Sequence, residues 1–299
     1  MDDASFGRQP APGARRIPAI VNADAGTASQ VREALERADG FDVRECHGGE
    51  IAAAVEEAIA GGHARLVVAG GDGTIATAAG LLAGRPTALA IVPGGTLNHF
   101  ARDHGIPDDI EAAVELARHG RTRPTDLARV NGHVFLNTSS VGAYVTLVRF
   151  RDRLERWLGY TLASFVAAVR VFFTMHRFVV EISGPDGPRT FRTPLLFLGV
   201  GERELKLPTL GARVDDGRAG LHVMVVKGRT RGAVLALAFS AATRGIRGVP
   251  TPHLETVILD ECTVRLRRPT AISTDGEIVQ LESPLRYELL RGALQLVRP

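Results

Sequence analysis

Along the first part of the chain, apolar runs of strand length alternate with stretches of helical period. Ile17–Val21, Phe41–Cys46, Leu66–Ala69 and Ala88–Val92 read as strands, and Ser29–Ala38, Glu50–Ala60, Thr74–Ala83 and Asp108–Arg118 as helices. Short buried runs between helical patterns predict a parallel sheet covered by helices. The pattern changes near residue 121. Asn131-Gly132, flanked by Val130 and His133, is a two-residue hairpin signal. Two helical stretches follow, Tyr144–Trp157 and Thr161–Met175. Short strand-like runs come next: Arg177–Ile182, Leu195–Val200, Leu221–Val226, Thr256–Leu259, Thr263–Leu266, Tyr287–Leu290 and Ala293–Val297. One further helix is predicted at Arg231–Ala242. The expected second domain is mostly antiparallel and β-sandwich-like. We place the boundary at Asp126: a loose tail over 1–16, an α/β domain over 17–126, and a β-rich domain over 127–299 whose end can pack back on the first.

Composition narrows the class. The 299 residues are 45% hydrophobic and 23% charged, which excludes a disordered chain, a fibre and a pure coiled coil. Lys plus Arg is 36 against 33 Asp plus Glu, a surplus of +3 that does not point to nucleic acid. Lys206 and Lys227 are the only lysines, so the positive charge is almost all arginine. Arginine forks onto phosphate or carboxylate, but biased composition is the favoured explanation of the excess. Two cysteines, Cys46 and Cys262, make no disulfide framework and fit a reducing cytoplasm. The N-terminal residues lack the apolar core of a signal peptide, and no run reaches the roughly 18 apolar residues of a span.

Two glycine-rich turns carry the candidate chemistry. Gly70-Gly71-Asp72-Gly73-Thr74 lies between a buried strand and a helix. Such a turn aims backbone N–H groups at an anion, usually phosphate; a plain tight turn is the alternative. A Walker A loop is excluded because no lysine follows a glycine. A dinucleotide fingerprint is weak, because no acid occurs between Thr74 and Arg102 to hold a ribose. The second turn, Pro93-Gly94-Gly95-Thr96-Leu97-Asn98, also ends a strand and opens a helix, and Asn22-Ala23-Asp24-Ala25-Gly26 ends the first strand. Three loops on one edge of a parallel sheet form a crevice fit for a nucleotide.

These motifs resemble the diacylglycerol kinase catalytic-domain family, which includes sphingosine kinases and bacterial lipid kinases. The resemblance extends through Asn131-Gly132…Phe135-Leu136-Asn137, Asp216-Gly217…Leu221-His222-Val223 and Asp275-Gly276-Glu277. It implies an NAD kinase- or phosphofructokinase-like α/β domain facing a lipid domain, with ATP and Mg²⁺ as cofactors and a lipid hydroxyl as acceptor. It implies Glu277 as proton acceptor and Asp275 near the metal. Asp72 would hold Mg²⁺ or engage the acceptor. Asn22, Gly70, Gly71, Asp72, Gly73, Thr74, Gly95, Thr96 and Asn98 would bind nucleotide. A structural Mg²⁺ would use Asp216 and the backbone carbonyls of Arg213 and Arg218.

The sequence departs from the family pattern in places. The first loop lacks a proline, His99 stands where many members carry Asp, Val200-Gly201 replaces Asn-Asn, and His222 replaces Asp. Two other readings are therefore kept: an NAD kinase-like phosphotransferase, and a catalytically weak lipid- or nucleotide-binding regulator. The basic stretch Arg149–Trp157, followed by Phe165, Phe172 and Phe173, reads either as a solvated face over a core face or as an element that meets anionic lipid. The expected partners are a lipid substrate and, peripherally, an anionic membrane at the inner face. A homodimer is left open.

Overall fold

The computed structural model describes residues 16–185, 187–205, 210–227, 232, 246–247, 252–267 and 270–299. The expected N-terminal tail and the helix expected at Arg231–Ala242 lie almost wholly outside these residues. The first elements are β1 (Ile17–Asn22), α1 (Ala28–Ala38), β2 (Phe41–Cys46), α2 (Ile51–Ala60), β3 (Arg65–Gly70), α3 (Asp72–Leu82), β4 (Ala88–Pro93), α4 (His99–Asp103) and α5 (Ile110–His119). β1 pairs in parallel with β2 and β3, and β3 with β4. Successive strand residues serve opposite layers. Ala19, Val21, Val67 and Val92 pack with α1 and α5, while Ile20, Leu66, Val68 and Ile91 pack with α2, α3 and α4. This is why β1, β3 and β4 read as apolar runs: both faces are covered.

The chain continues through β5 (Arg121–Val130), β6 (His133–Phe135), β7 (Thr138–Gly142), α6 (Ala143–Thr174), β8 (Phe178–Gly184), β9 (Gly187–Thr193), β10 (Leu195–Val200), β11 (Arg203–Leu205) and β12 (Leu210–Arg213). It ends with β13 (Leu221–Val226), β14 (Ile246–Arg247), β15 (Leu254–Leu259), β16 (Glu261–Leu266), β17 (Thr270–Thr274), β18 (Glu277–Leu281) and β19 (Leu285–Arg298). A six-stranded antiparallel sheet has the order β15-β13-β10-β7-β17-β18. It packs on the antiparallel half of the other large sheet, through Val141, Leu198 and Val223 on one side and Val180, Val264 and Tyr287 on the other. The β-sandwich-like second domain is therefore present.

The two strands expected at Tyr287–Leu290 and Ala293–Val297 are one strand, β19. It is interrupted by an irregular step between Leu290 and Leu294, where Gly292 takes φ +57°. The first half of β19 pairs antiparallel with β16, and Leu296 in the second half pairs in parallel with Leu89 of β4. One strand thus belongs to both halves of the molecule. Asp126 lies inside β5, the other strand running between them, and accepts a 2.8 Å hydrogen bond from Gly292 N–H at the step.

Candidate active site

β1, β3 and β4 are adjacent and parallel, so Asn22, Gly70 and Pro93 end on one edge. The two glycine turns touch through their backbones. Gly94 N–H donates to Gly70 C=O at 2.9 Å. A Cβ added at Gly95 would lie 2.7 Å from Gly71 Cα, so no side chain fits between the loops. Asn22 Nδ2 donates to Thr74 Oγ1 at 2.8 Å, and Asp24 N–H donates to Asn22 Oδ1, which ties the first loop to the start of α3. α3 begins at Asp72 with no side chain capping its first N–H groups. That leaves an electropositive helix end open to an anion.

Asn98, expected to bind nucleotide, also closes the second loop. Its φ is +49°, its Oδ1 accepts from Gly95 N–H at 3.0 Å, and its Nδ2 donates to Gly95 C=O at 2.9 Å. The amide shapes the second loop and keeps one proton for a ligand. Asp72 Oδ1 accepts a long, 3.4 Å bond from Phe100 N–H, which links the two turns. Thr96 is exposed at the loop tip.

The second domain adds a carboxylate to this crevice. Thr274 and Glu277 face each other across β17 and β18, joined by Asp275 (φ +48°) and Gly276 (φ +89°), a two-residue turn of the kind Asp-Gly favours. Asp275 turns inward. Its carboxylate accepts from the N–H groups of Leu136, Asn137 and Thr138 at 2.7–3.0 Å. Burial raises its pKa, against the pull of these donors and of Arg203. Asp275, expected near the metal, bonds backbone N–H groups through both side-chain oxygens and anchors the turn. Glu277 is exposed and reaches across, so that a Cβ added at Gly73 would lie 2.9 Å from its Oε1.

Asp216, Arg213 and Arg218 form a separate group. Asp216 is exposed, with no hydrogen-bond partner among the described residues. Arg218 C=O accepts from Glu202 N–H, and Arg218 N–H donates to Glu202 Oε2. An exposed carboxylate and backbone carbonyls are hard oxygen donors of the kind a divalent cation takes. No cluster of three His, Cys, Asp or Glu side chains occurs among the described residues, so a cation here would depend on those carbonyls. His222 does not join the group. It is buried, accepts from Arg203 N–H at Nδ1 and meets Thr256 Oγ1 at Nε2. Burial lowers its pKa to about 4.

Three comparisons bear on this arrangement. The diacylglycerol kinase catalytic domain model matches residues 17–130. A protein of Pseudomonas savastanoi pv. phaseolicola described as "probable lipid kinase YegS-like" is 33% identical, covering 95% of this chain and 94% of its own. The chain belongs to this lipid kinase family. A similarly described protein of Pseudomonas aeruginosa is 40% identical over 82% of this chain and 80% of its own. A solved diacylglycerol kinase structure from Bacillus anthracis shares the fold, with a TM-score of 0.72 at 22% identity over 95% of this chain and 97% of that one. Among lipid kinases of this family, the NAD kinase-like alternative loses its ground.

One residue of the site gave no signal in the sequence. Arg203 is fully buried and pairs with Asp103 at the end of α4. Its Nε donates to Val200 C=O at 2.9 Å and its Nη1 to Gly211 C=O at 3.2 Å. It therefore bolts the second domain to the helix that follows the second glycine turn. A lone arginine in Gly201-Glu202-Arg203-Glu204 looks like a solvated charge until the fold surrounds it.

Proposed function

We propose that the chain transfers the γ-phosphate of ATP to the hydroxyl of a lipid such as diacylglycerol, with Mg²⁺ present. The observation that carries this reading is the position of Glu277, delivered by the second domain against Gly73 at the open N-terminus of α3. The amides of Gly71–Thr74 would hold phosphate oxygens, and Thr96 and the free Asn98 proton would add donors. As the lipid hydroxyl oxygen bonds to the γ-phosphorus, the bond from that phosphorus to the bridging oxygen breaks and ADP leaves. The hydroxyl proton passes to Glu277. Such transfers depend on positioning and charge neutralisation more than on covalent chemistry. Bound Mg²⁺ would supply that neutralisation; Asp72 would hold it among the loops, and Asp216 with the carbonyls of Arg213 and Arg218 would hold a structural ion.

A second reading rests on His222. A buried neutral ring stands there in place of the acid that the family pattern carries, and its nitrogens serve Arg203 and Thr256 rather than a cation, which favours a weakly active regulator. Incubation with γ-labelled ATP and Mg²⁺ across diacylglycerol, phosphatidylglycerol and sphingosine separates the two. Label in a lipid product supports the kinase. No label in any lipid, with ATP binding intact, supports the regulator.

A further inference from the structure

We propose that the folded tip and second arm of α6 dock the protein on an anionic bilayer, a proposal that rests on the lipid acceptor just described. α6 is not one rod. Gly159 takes φ +68° and ψ +165°, a conformation that breaks the helix. The Arg170 guanidinium lies 4.3 Å from the centroid of the Phe150 ring. Twenty residues of straight helix would separate them by roughly 30 Å, so the two arms fold back on each other. The paired stretches Tyr144–Trp157 and Thr161–Met175 expected from the sequence are those arms.

The second arm is apolar on opposite faces. Ala163, Ala167 and Val171, four residues apart, are buried against the protein. Leu162, Phe165, Val166, Val169 and Phe173 form another stripe at helical spacing, and all are exposed, Phe165 by 66% and Phe173 by 59%. Trp157, beside the turn, is 84% exposed. A helix that is apolar all round belongs in a non-aqueous setting, and a contiguous exposed apolar stripe marks an interaction surface.

Charge selects the occupant. α6 holds five arginines (Arg149, Arg151, Arg153, Arg156, Arg170) and two acids (Asp152, Glu155), a surplus equal to the +3 of the whole chain. A second copy laid on the stripe would set this surplus against itself. Anionic headgroups neutralise it, at about 1 kcal/mol per arginine near the surface. No helix among the described residues is long and apolar enough to cross a membrane, so the arm would lie in the interface plane. α6 packs on β7, β17 and β18. The strand that begins with Glu277 thus sits directly behind the docking element.

Trp157 is the only tryptophan, so it reports the tip without a label. Its emission is measured with vesicles of phosphatidylglycerol and phosphatidylcholine carrying brominated acyl chains. The expected result is a blue shift with quenching, and at least a tenfold weaker response in the Leu162→Ser/Phe165→Ser variant. Unchanged emission overturns the proposal, as does an equal response to vesicles of phosphatidylcholine alone. Concentration-dependent emission without vesicles, with a sedimenting dimer, also overturns it and assigns the stripe to a second copy. The readout needs neither ATP nor turnover, so its failure is separate from failure of the kinase reading.

Discussion

At the scale of single residues, the Asp275-Gly276-Glu277 turn divides its work. Glu277 is the exposed carboxylate that faces the glycine loop, and Asp275 is the anchor that holds it there. Removing the anchor leaves three backbone N–H groups without the side-chain oxygens that accept from them. Asp275→Ala should cost about 3 kcal/mol of stability. It should also lower kcat while leaving KM for ATP within about twofold, if Asp275 acts by holding the turn that carries Glu277. Steady-state kinetics together with a urea titration check both. The motif was legible in the sequence because Asp-Gly-Glu stands out in a chain. The split of roles was not, because it depends on contacts 137 to 139 residues away. Arg203 was invisible for the same reason, since its ion-pair partner Asp103 lies 100 residues away in the chain.

At the scale of elements, legibility followed burial. β1, β3 and β4 lie inside three layers and read directly as apolar runs, whereas β2, at the sheet edge, is mostly exposed and polar between Phe41 and Cys46. β9, Gly187–Thr193, is an edge strand of exposed polar residues and gives no such run. β5 contains Pro124, which argues against a strand, yet it pairs along its length with β19. Gly292 divides β19 in the sequence although the strand continues in space. The break in α6 was legible as two helical stretches, and its cause is Gly159 in a region of φ and ψ reserved almost entirely for glycine. Gly159→Ala should therefore destabilise the arms by about 1–3 kcal/mol. Thermal unfolding followed by far-ultraviolet circular dichroism should show a lower midpoint. A midpoint equal to that of the parent would mean that the reversal tolerates a side chain.

At the scale of the molecule, β5 and β19 carry the chain between the two halves, and Arg203 with Asp103 closes the side next to α4. Two buried histidines stand at this junction. Burial, reinforced by Arg213, Arg298 and Arg203, lowers the pKa of His104 to about 3. Burial lowers that of His222 to about 4, with Arg218 and Arg203 reinforcing and Glu202 opposing. Both are neutral in the folded protein, whereas the unfolded chain takes up protons near pH 6.5. Their contribution is complete above that pH and is lost as pH falls, through about 4 for His222 and about 3 for His104. For His222 the loss is on the order of 3 kcal/mol by pH 4. Urea midpoints should fall steadily from pH 7 to pH 4.5, and less steeply in His222→Gln, which keeps an acceptor for Arg203 and a donor for Thr256. Midpoints that do not change over this range would place the pH response elsewhere.

The two-domain arrangement matters because it carries Glu277 to Gly73, and that contact is open to direct measurement. The initial rate of ATP-dependent phosphorylation of diacylglycerol in mixed micelles is compared between the parent protein and Glu277→Gln, with ATP affinity measured on both. Loss of a general base costs about 10²–10⁴-fold, so the variant should fall by that factor with ATP affinity unchanged and the fold retained. A Glu277→Gln rate within a few-fold of the parent would contradict the assignment of Glu277 as the group that accepts the hydroxyl proton.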